Sequence, residues 1–100
     1  MSATFDKLIQ SGNLVLVDFY ATWCGPCQTL GPILKQVKDS LGDGISIIKI
    51  DVDRNQQAAA QYRVRGVPTM LLFRDGKQLW RQSGVLSKDE IIRIIRSHEK

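Results

Sequence analysis

Long apolar runs are missing from this chain. None approaches the roughly 18 consecutive apolar residues that cross a bilayer as a helix. Met1-Ser2-Ala3-Thr4-Phe5-Asp6-Lys7 lacks the basic segment and apolar stretch of a secretory leader. The expectation is a cytoplasmic protein without a membrane partner. Blocks of like charge are missing too. Lys and Arg number 14 against 10 Asp and Glu, a net charge of +4, and the two signs are interspersed. No basic stripe alternates with aromatics, so no nucleic-acid partner is expected. Histidine occurs once, at His98, and cysteine twice. Two thiols and one distant imidazole fall short of a tetrahedral zinc site, so no metal is expected. Internal repeats, low-complexity segments and linkers are absent, and 100 residues fit one domain.

The two cysteines stand together in Trp23-Cys24-Gly25-Pro26-Cys27. A bridge between them closes a very small loop and removes little entropy from the unfolded chain, so a structural staple is a poor account of the pair. In a reducing compartment such a pair is catalytic or metal-binding more often than structural.

The pattern around the pair predicts its setting. Residues 3–11 read as a short helix, with Phe5, Leu8 and Ile9 on one face. Residues 14–20 form an almost unbroken apolar run, a central strand covered on both faces, with Asp18 as its one anomaly. From Gly25 to Leu41 the residues Leu30, Ile33, Leu34, Val37 and Leu41 repeat at helical spacing, and Pro32 predicts a kink within that helix. Gly42-Asp43-Gly44 is a turn before a strand from Ile45 to Asp51. A second short helix is expected from Asn55 to Tyr62, capped by Asp53 or Asn55. After a loop at 63–68 come a strand from Thr69 to Arg74, an Asp75-Gly76 turn, and a strand from Lys77 to Gln82. Ser87 and Glu90 spell a capping box before a last helix carrying Ile91, Ile92, Ile94 and Ile95. This order predicts an α/β fold: a mixed sheet with helices on both faces. Trp80 is read as sheet packing and His98 as a surface side chain near a helix end. Arg63 and Arg65 are read as solvated, or else as bordering the dithiol and favouring acidic partners.

Cys24 falls between the end of the first strand and the start of a helix, where open α/β sheets place their sites. The reactive species of a cysteine is the thiolate. Helix N-terminal amides stabilise an anion there by about 0.3–1 kcal/mol, reaching ~2 kcal/mol when partly buried. Pro26 suits a first helical turn, and Gly25 leaves the approach to sulfur open. Cys24 is therefore read as the exposed nucleophile and Cys27, pointing inward, as the resolving thiol. Asp18, buried and six residues upstream, is the candidate proton acceptor for Cys27, because burial raises a carboxyl pKa toward neutrality. The alternative is a carboxylate that merely hydrogen-bonds locally. Lys49 on the neighbouring strand is its expected counter-charge.

The segment Val17-Asp18-Phe19-Tyr20-Ala21-Thr22-Trp23-Cys24-Gly25-Pro26-Cys27 resembles the active-site segment of the thioredoxin family. So do Pro32, Lys49-Ile50-Asp51-Val52-Asp53, Arg65-Gly66-Val67-Pro68-Thr69 and Gly84-Val85-Leu86-Ser87. The resemblance implies a thioredoxin fold with a four- to five-stranded sheet and a monomeric protein disulfide reductase. Its only redox centre would be the reversible Cys24–Cys27 disulfide. Disulfide-containing proteins would be its substrates and an NADPH-linked flavoprotein thioredoxin reductase its recharging partner. It also implies that Pro68 is a cis-proline facing the dithiol. Trp23, Gly25, Pro26, Gly66, Val67, Gly84 and Val85 would form the docking surface beside it. A pathway-restricted oxidase or isomerase, and a redox-independent binding module, are the alternatives. Two departures are visible: the few residues before Leu14 leave the family's first strand short or absent, and Tyr20 stands where many members carry Trp.

Overall fold

The computed structural model describes residues 3–10 and 12–99. The elements run α1 (Ala3–Ile9), β1 (Leu14–Tyr20), α2 (Gly25–Leu41), β2 (Ser46–Asp51), α3 (Gln56–Gln61), β3 (Thr69–Arg74), β4 (Lys77–Ser83) and α4 (Lys88–Ser97). Among the described residues the sheet has four strands in the order β2-β1-β3-β4. The β1–β2 pair is parallel and the other two pairs are antiparallel.

β1 sits inside this sheet, and its first six residues are buried. Alternation along the strand divides them between two cores. Leu14 and Leu16 join Leu30, Leu34 and Val37 of α2, Ile91 and Ile95 of α4, and Met70 and Leu72 of β3. Val15, Val17 and Phe19 face the other way, onto Phe5 and Ile9 of α1, Ala58 of α3, and Leu71 and Phe73. That second face carries an aromatic group. Phe73 meets Phe5 and Tyr62 edge-on, at centroid distances of 6.3 and 5.2 Å, the geometry that ring quadrupoles favour. Helices cover both faces of the mixed sheet, as expected, and Trp80 packs against the first core.

Several local expectations hold. α2 continues through Pro32 to Leu41. Asp75 and Gly76 have φ of +52° and +80°, the two positive values a tight hairpin turn requires. At Gly76 a Cβ would also approach Gln10 to 3.0 Å. Ser87 Oγ accepts the Glu90 N–H at 3.1 Å, and Glu90 Oε1 accepts the Ser87 N–H at 3.2 Å, so the capping box closes.

Others need correction. α1 ends at Ile9, and Leu8 is 45% exposed, because only Phe5 and Ile9 reach the sheet from so short a helix; residue 11 of the expected helix lies outside the described residues. Asn55 occupies the start of α3 without capping it through its side chain. Its amide donates instead to the Asp51 carbonyl, while Asp51 Oδ1 accepts the N–H groups of Asp53 and Arg54. The end of α3 is clasped from β4: the Arg81 guanidinium donates to the Tyr62 carbonyl and, at 2.8 Å, to that of Arg63. Arg63 itself has φ of +54°, a conformation uncommon for a residue with a Cβ.

Candidate active site

The chain leaves β1 at Tyr20, and the Cys24 N–H returns to the Ala21 carbonyl at 3.2 Å. That turn makes Cys24 the N-cap of α2, a position usually held by an oxygen-bearing side chain. Its Sγ accepts the Cys27 N–H at 3.1 Å. A sulfur that takes a helix N-terminal N–H is one whose anion that helix stabilises. Pro26 falls in the first turn, where no intrahelical N–H is lost. Cys24 and Cys27 are joined as a disulfide, with Cα atoms 5.3 Å apart.

The expected contrast between an exposed Cys24 and an inward Cys27 is corrected: both residues are 5% exposed. The bridged pair is packed with Ala21 and bordered by Tyr20, Val52 and Val67. What distinguishes them is bonding. Only Cys24 caps the helix, and its Sγ lies 3.6 Å from the Val67 carbonyl oxygen. In the disulfide that sulfur has no proton to donate, so this is a contact; after reduction the thiol becomes a donor to it.

Asp18 is fully buried, and neither carboxylate oxygen has a hydrogen-bond partner. Local hydrogen bonding, the alternative role, is therefore absent. Burial pushes its carboxyl pKa up to about 6, and the attraction of Lys49 holds it from rising further. Lys49 is directly opposite Asp18 in the parallel register. Its ammonium lies over the Tyr20 ring, 4.6 Å from the centroid.

Three loops approach the disulfide. Val67-Pro68 is a cis peptide bond, and Pro68 is buried. The Pro68 carbonyl accepts the N–H of Gly84, which has φ of +91°, so the loop after β4 is tied to the loop before β3. Gly66 is fixed by Thr69, whose Oγ1 donates to its carbonyl at 2.7 Å. A Cβ on Gly25, Gly66 or Gly84 would meet nothing within 4 Å, so all three leave open space. Trp23 and Val85 are exposed, Trp23 by 71%, and Pro26 is exposed on the helix start. A shallow pocket joins Trp23, Val52, Val64, Arg65, Gly66 and Val67. The structure thus brings Trp23, Gly66 and Val67 together beside Cys24, with Gly84 bonded behind Pro68.

Two contributors escaped the sequence reading. Asp53 Oδ2 accepts the Trp23 indole N–H at 2.9 Å, across 30 residues of sequence. Val52 packs against the disulfide. Neither contact follows from periodicity; the alternation of Asp51, Asp53 and Asn55 was the available sign of a side-chain-bonded turn. Arg65 borders the pocket. His98 lies at the end of α4, with Nδ1 2.9 Å from the Ile94 carbonyl. No group of three or more His, Cys, Asp or Glu among the described residues is placed to hold a metal ion, and no helix there is long and apolar enough to cross a membrane.

Comparison with known proteins agrees with this geometry. The sequence model of the thioredoxin family matches residues 1–97. Over 96 residues the chain is 44% identical to Thioredoxin Y, chloroplastic, of Oryza sativa subsp. japonica, covering 95% of this chain and 57% of that protein. It is 43% identical over 95 residues to the thioredoxin of Chlamydia trachomatis, covering 95% and 91% respectively. A solved mutant thioredoxin from Halobacterium salinarum superposes with a TM-score of 0.91 at 39% identity, covering 100% of this chain and 87% of that one. The chain spans a little over half of the plant relative and nearly all of the bacterial one.

Proposed function

This chain belongs to the thioredoxin family of thiol–disulfide oxidoreductases, and on that premise we propose that it is a general protein disulfide reductase. The observation that carries this reading is the Cys24 sulfur itself: it caps a helix, receives the Cys27 N–H, and lies against the backbone carbonyl of Val67.

In the reduced protein Cys24 attacks as the thiolate. Its electron pair forms a bond to one sulfur of a substrate disulfide, and the other substrate sulfur leaves and takes up a proton. The mixed disulfide is then resolved by Cys27, whose thiol gives its proton to the Asp18 carboxylate. The Cys27 sulfur attacks Cys24 Sγ, the bond to the substrate breaks, and the second substrate sulfur departs with the electron pair. That sulfur takes up a proton, as the first did from water, and Asp18 gives up the one it received; two electrons have passed to the substrate, and Cys24–Cys27 is the disulfide. A carboxyl that titrates near 6 suits a proton exchange close to neutrality. Lys49 stabilises the ionised form that must accept the proton.

The substrate segment docks extended beside Val67 and Pro68, where the backbone offers strand-like hydrogen bonds. Trp23, Gly25, Pro26, Gly66, Gly84 and Val85 supply the flat surface on which it rests. The open space at the three glycines supports that reading. The disulfide is recharged by a thioredoxin reductase, an NADPH-linked flavoprotein. Its site of action is read as the cytoplasm, a compartment that returns thiols to the reduced form; the rice relative is named as chloroplastic. Residues 1–100 are read as one thioredoxin domain, supported by a single sheet with a core on each face.

Cys24→Ser is the test. Reduction of insulin disulfides is expected to fall by more than about a thousandfold, the scale on which covalent nucleophiles matter. Retained activity would overturn the nucleophile assignment. A variant that lost reduction yet fully supported a cell lacking the wild-type protein would favour a binding module instead.

A further inference from the structure

The Lys49 ammonium is placed by a ring and a glycine. It stands 4.6 Å from the centroid of Tyr20 on one side. On the other is Gly31 of α2, where a Cβ would come within 3.9 Å of Nζ. Tyr20 follows Asp18 by two residues in β1, so both side chains leave the same face of the sheet. Lys49 is the register partner of Asp18 in β2. Acid, ring and cation therefore form a triangle at the end of the sheet nearest the disulfide. The cation does not close onto the acid, because both Asp18 oxygens are without a hydrogen-bond partner. Lys49 is an exposed residue, and its ammonium would be better hydrated farther out in water. The negative face of an aromatic ring is what can hold a cation near one place on a surface.

We propose that Tyr20 is a positioning residue: its ring holds the Lys49 ammonium at the range from which it stabilises the Asp18 carboxylate, and so sets the pH at which Cys27 can be deprotonated. The proposal rests on the reading of Asp18 as proton acceptor. Lys49 is the charged group acting on Asp18. β3 places Met70 opposite it. Of the buried α2 residues Cys27, Leu30, Leu34 and Val37, only the Cys27 thiol titrates, and only after reduction. α4 turns Ile91 and Ile95 inward. Among the described residues, Lys49 is the one charge that acts on the Asp18 carboxyl. Without the ring the ammonium moves out into water, where screening weakens its pull.

The oxidised protein gives a clean test, since its disulfide does not titrate beside Asp18. The Asp18 carboxyl carbon is followed by NMR against pH in the wild type, Tyr20→Leu, Tyr20→Phe, Lys49→Met and the Tyr20→Leu/Lys49→Met double variant. Lys49→Met is expected to raise the midpoint most, Tyr20→Leu to raise it partway, and Tyr20→Phe to keep the wild-type value. The double variant is expected to match Lys49→Met alone. An unchanged or lowered midpoint in Tyr20→Leu overturns the proposal, as does a double variant in which the two shifts add. Should Tyr20→Leu fail to fold, Tyr20→Trp carries the test: its stronger cation attraction lowers the midpoint, and an unmoved midpoint overturns the proposal. The titration involves no substrate, so its failure is distinguishable from failure of the reductase reading.

Discussion

On the α1/α3 side of the sheet, Phe5, Phe19, Tyr62 and Phe73 bring four rings together. On the α2/α4 side the same strand, β1, turns Asp18 into the interior without a hydrogen-bond partner. Thr69 deepens the contrast. It too is fully buried, but its hydroxyl is satisfied by the Gly66 carbonyl and by Ser83 Oγ. A buried hydroxyl with two partners costs little, whereas a buried carboxylate with none is expensive. Both faces carry an apolar core, but the α2/α4 face also holds a buried charge-bearing group with no hydrogen bond to offset its burial. An orphaned carboxylate in a small domain is tolerated because the apolar cores on both faces outweigh it.

The strongest way to break this comparison is to empty the aromatic side. Phe73→Ala is expected to cost about 3–5 kcal/mol, the usual range for a deleted core ring, and to leave the rate of disulfide reduction per folded molecule unchanged. Denaturant unfolding and insulin reduction read the two halves. A matching collapse of rate in the folded variant would show that the faces are not separable.

Asp18→Asn probes the other side and should act in the opposite direction. The folded carboxyl titrates near 6 and the unfolded one near 3.8. Between those values the folded state holds a proton that the unfolded state has lost, so wild-type stability falls as pH rises through this window. Above it the deficit is constant, at about 3 kcal/mol by the conversion of pKa difference to free energy. The oxidised variant is therefore expected to be more stable than wild type by that amount at pH 8 and equal to it below pH ~4. Its resolution of the mixed disulfide should slow more than its initial attack. Equal slowing of both steps, or a stability difference independent of pH, would remove Asp18 from its assigned role.

The smallest effect asks whether the aromatic face is itself free of strain. Arg63 adopts a left-handed conformation at the end of α3. Relief of about 1–2 kcal/mol for such a residue is offset by the greater backbone entropy of glycine, roughly 0.5–1 kcal/mol. Arg63→Gly is expected to raise stability by about 0–1.5 kcal/mol net. A lowered melting temperature would mean that the Arg63 side chain contributes contacts that outweigh its strain.

What was legible in the sequence was whatever repeats locally. The unbroken run at 14–20 gave a covered strand, Asp75-Gly76 gave a hairpin, and Ser87 with Glu90 gave a closed capping box. Asp18 and Lys49 could be brought opposite each other because strand register is a local rule, and Cys24 could be set at the start of α2 because the strand-to-helix junction is another. The contacts that escaped are those between loops. The Trp23–Asp53 bond and the Arg81 clasp on Tyr62 and Arg63 join residues 18 to 30 positions apart, and no periodicity announces them. The equal burial of the two cysteines escaped for a different reason: exposure at a loop-to-helix junction is set by the loops packed over it, which no local pattern encodes. Leu8 was misread because a seven-residue helix has room for only a narrow buried stripe.

β4 pairs with β3 on one side and ends the sheet on the other. Along it run Lys77, Gln78, Arg81 and Gln82, all exposed, and its pairing slips between Leu72 and Phe73. Charged side chains and an irregular register are what keep an open strand from templating another chain into aggregates. Colloidal stability is in this way assigned to the outer edge of β4, and neutralising Lys77 would be felt in the test tube as lost solubility.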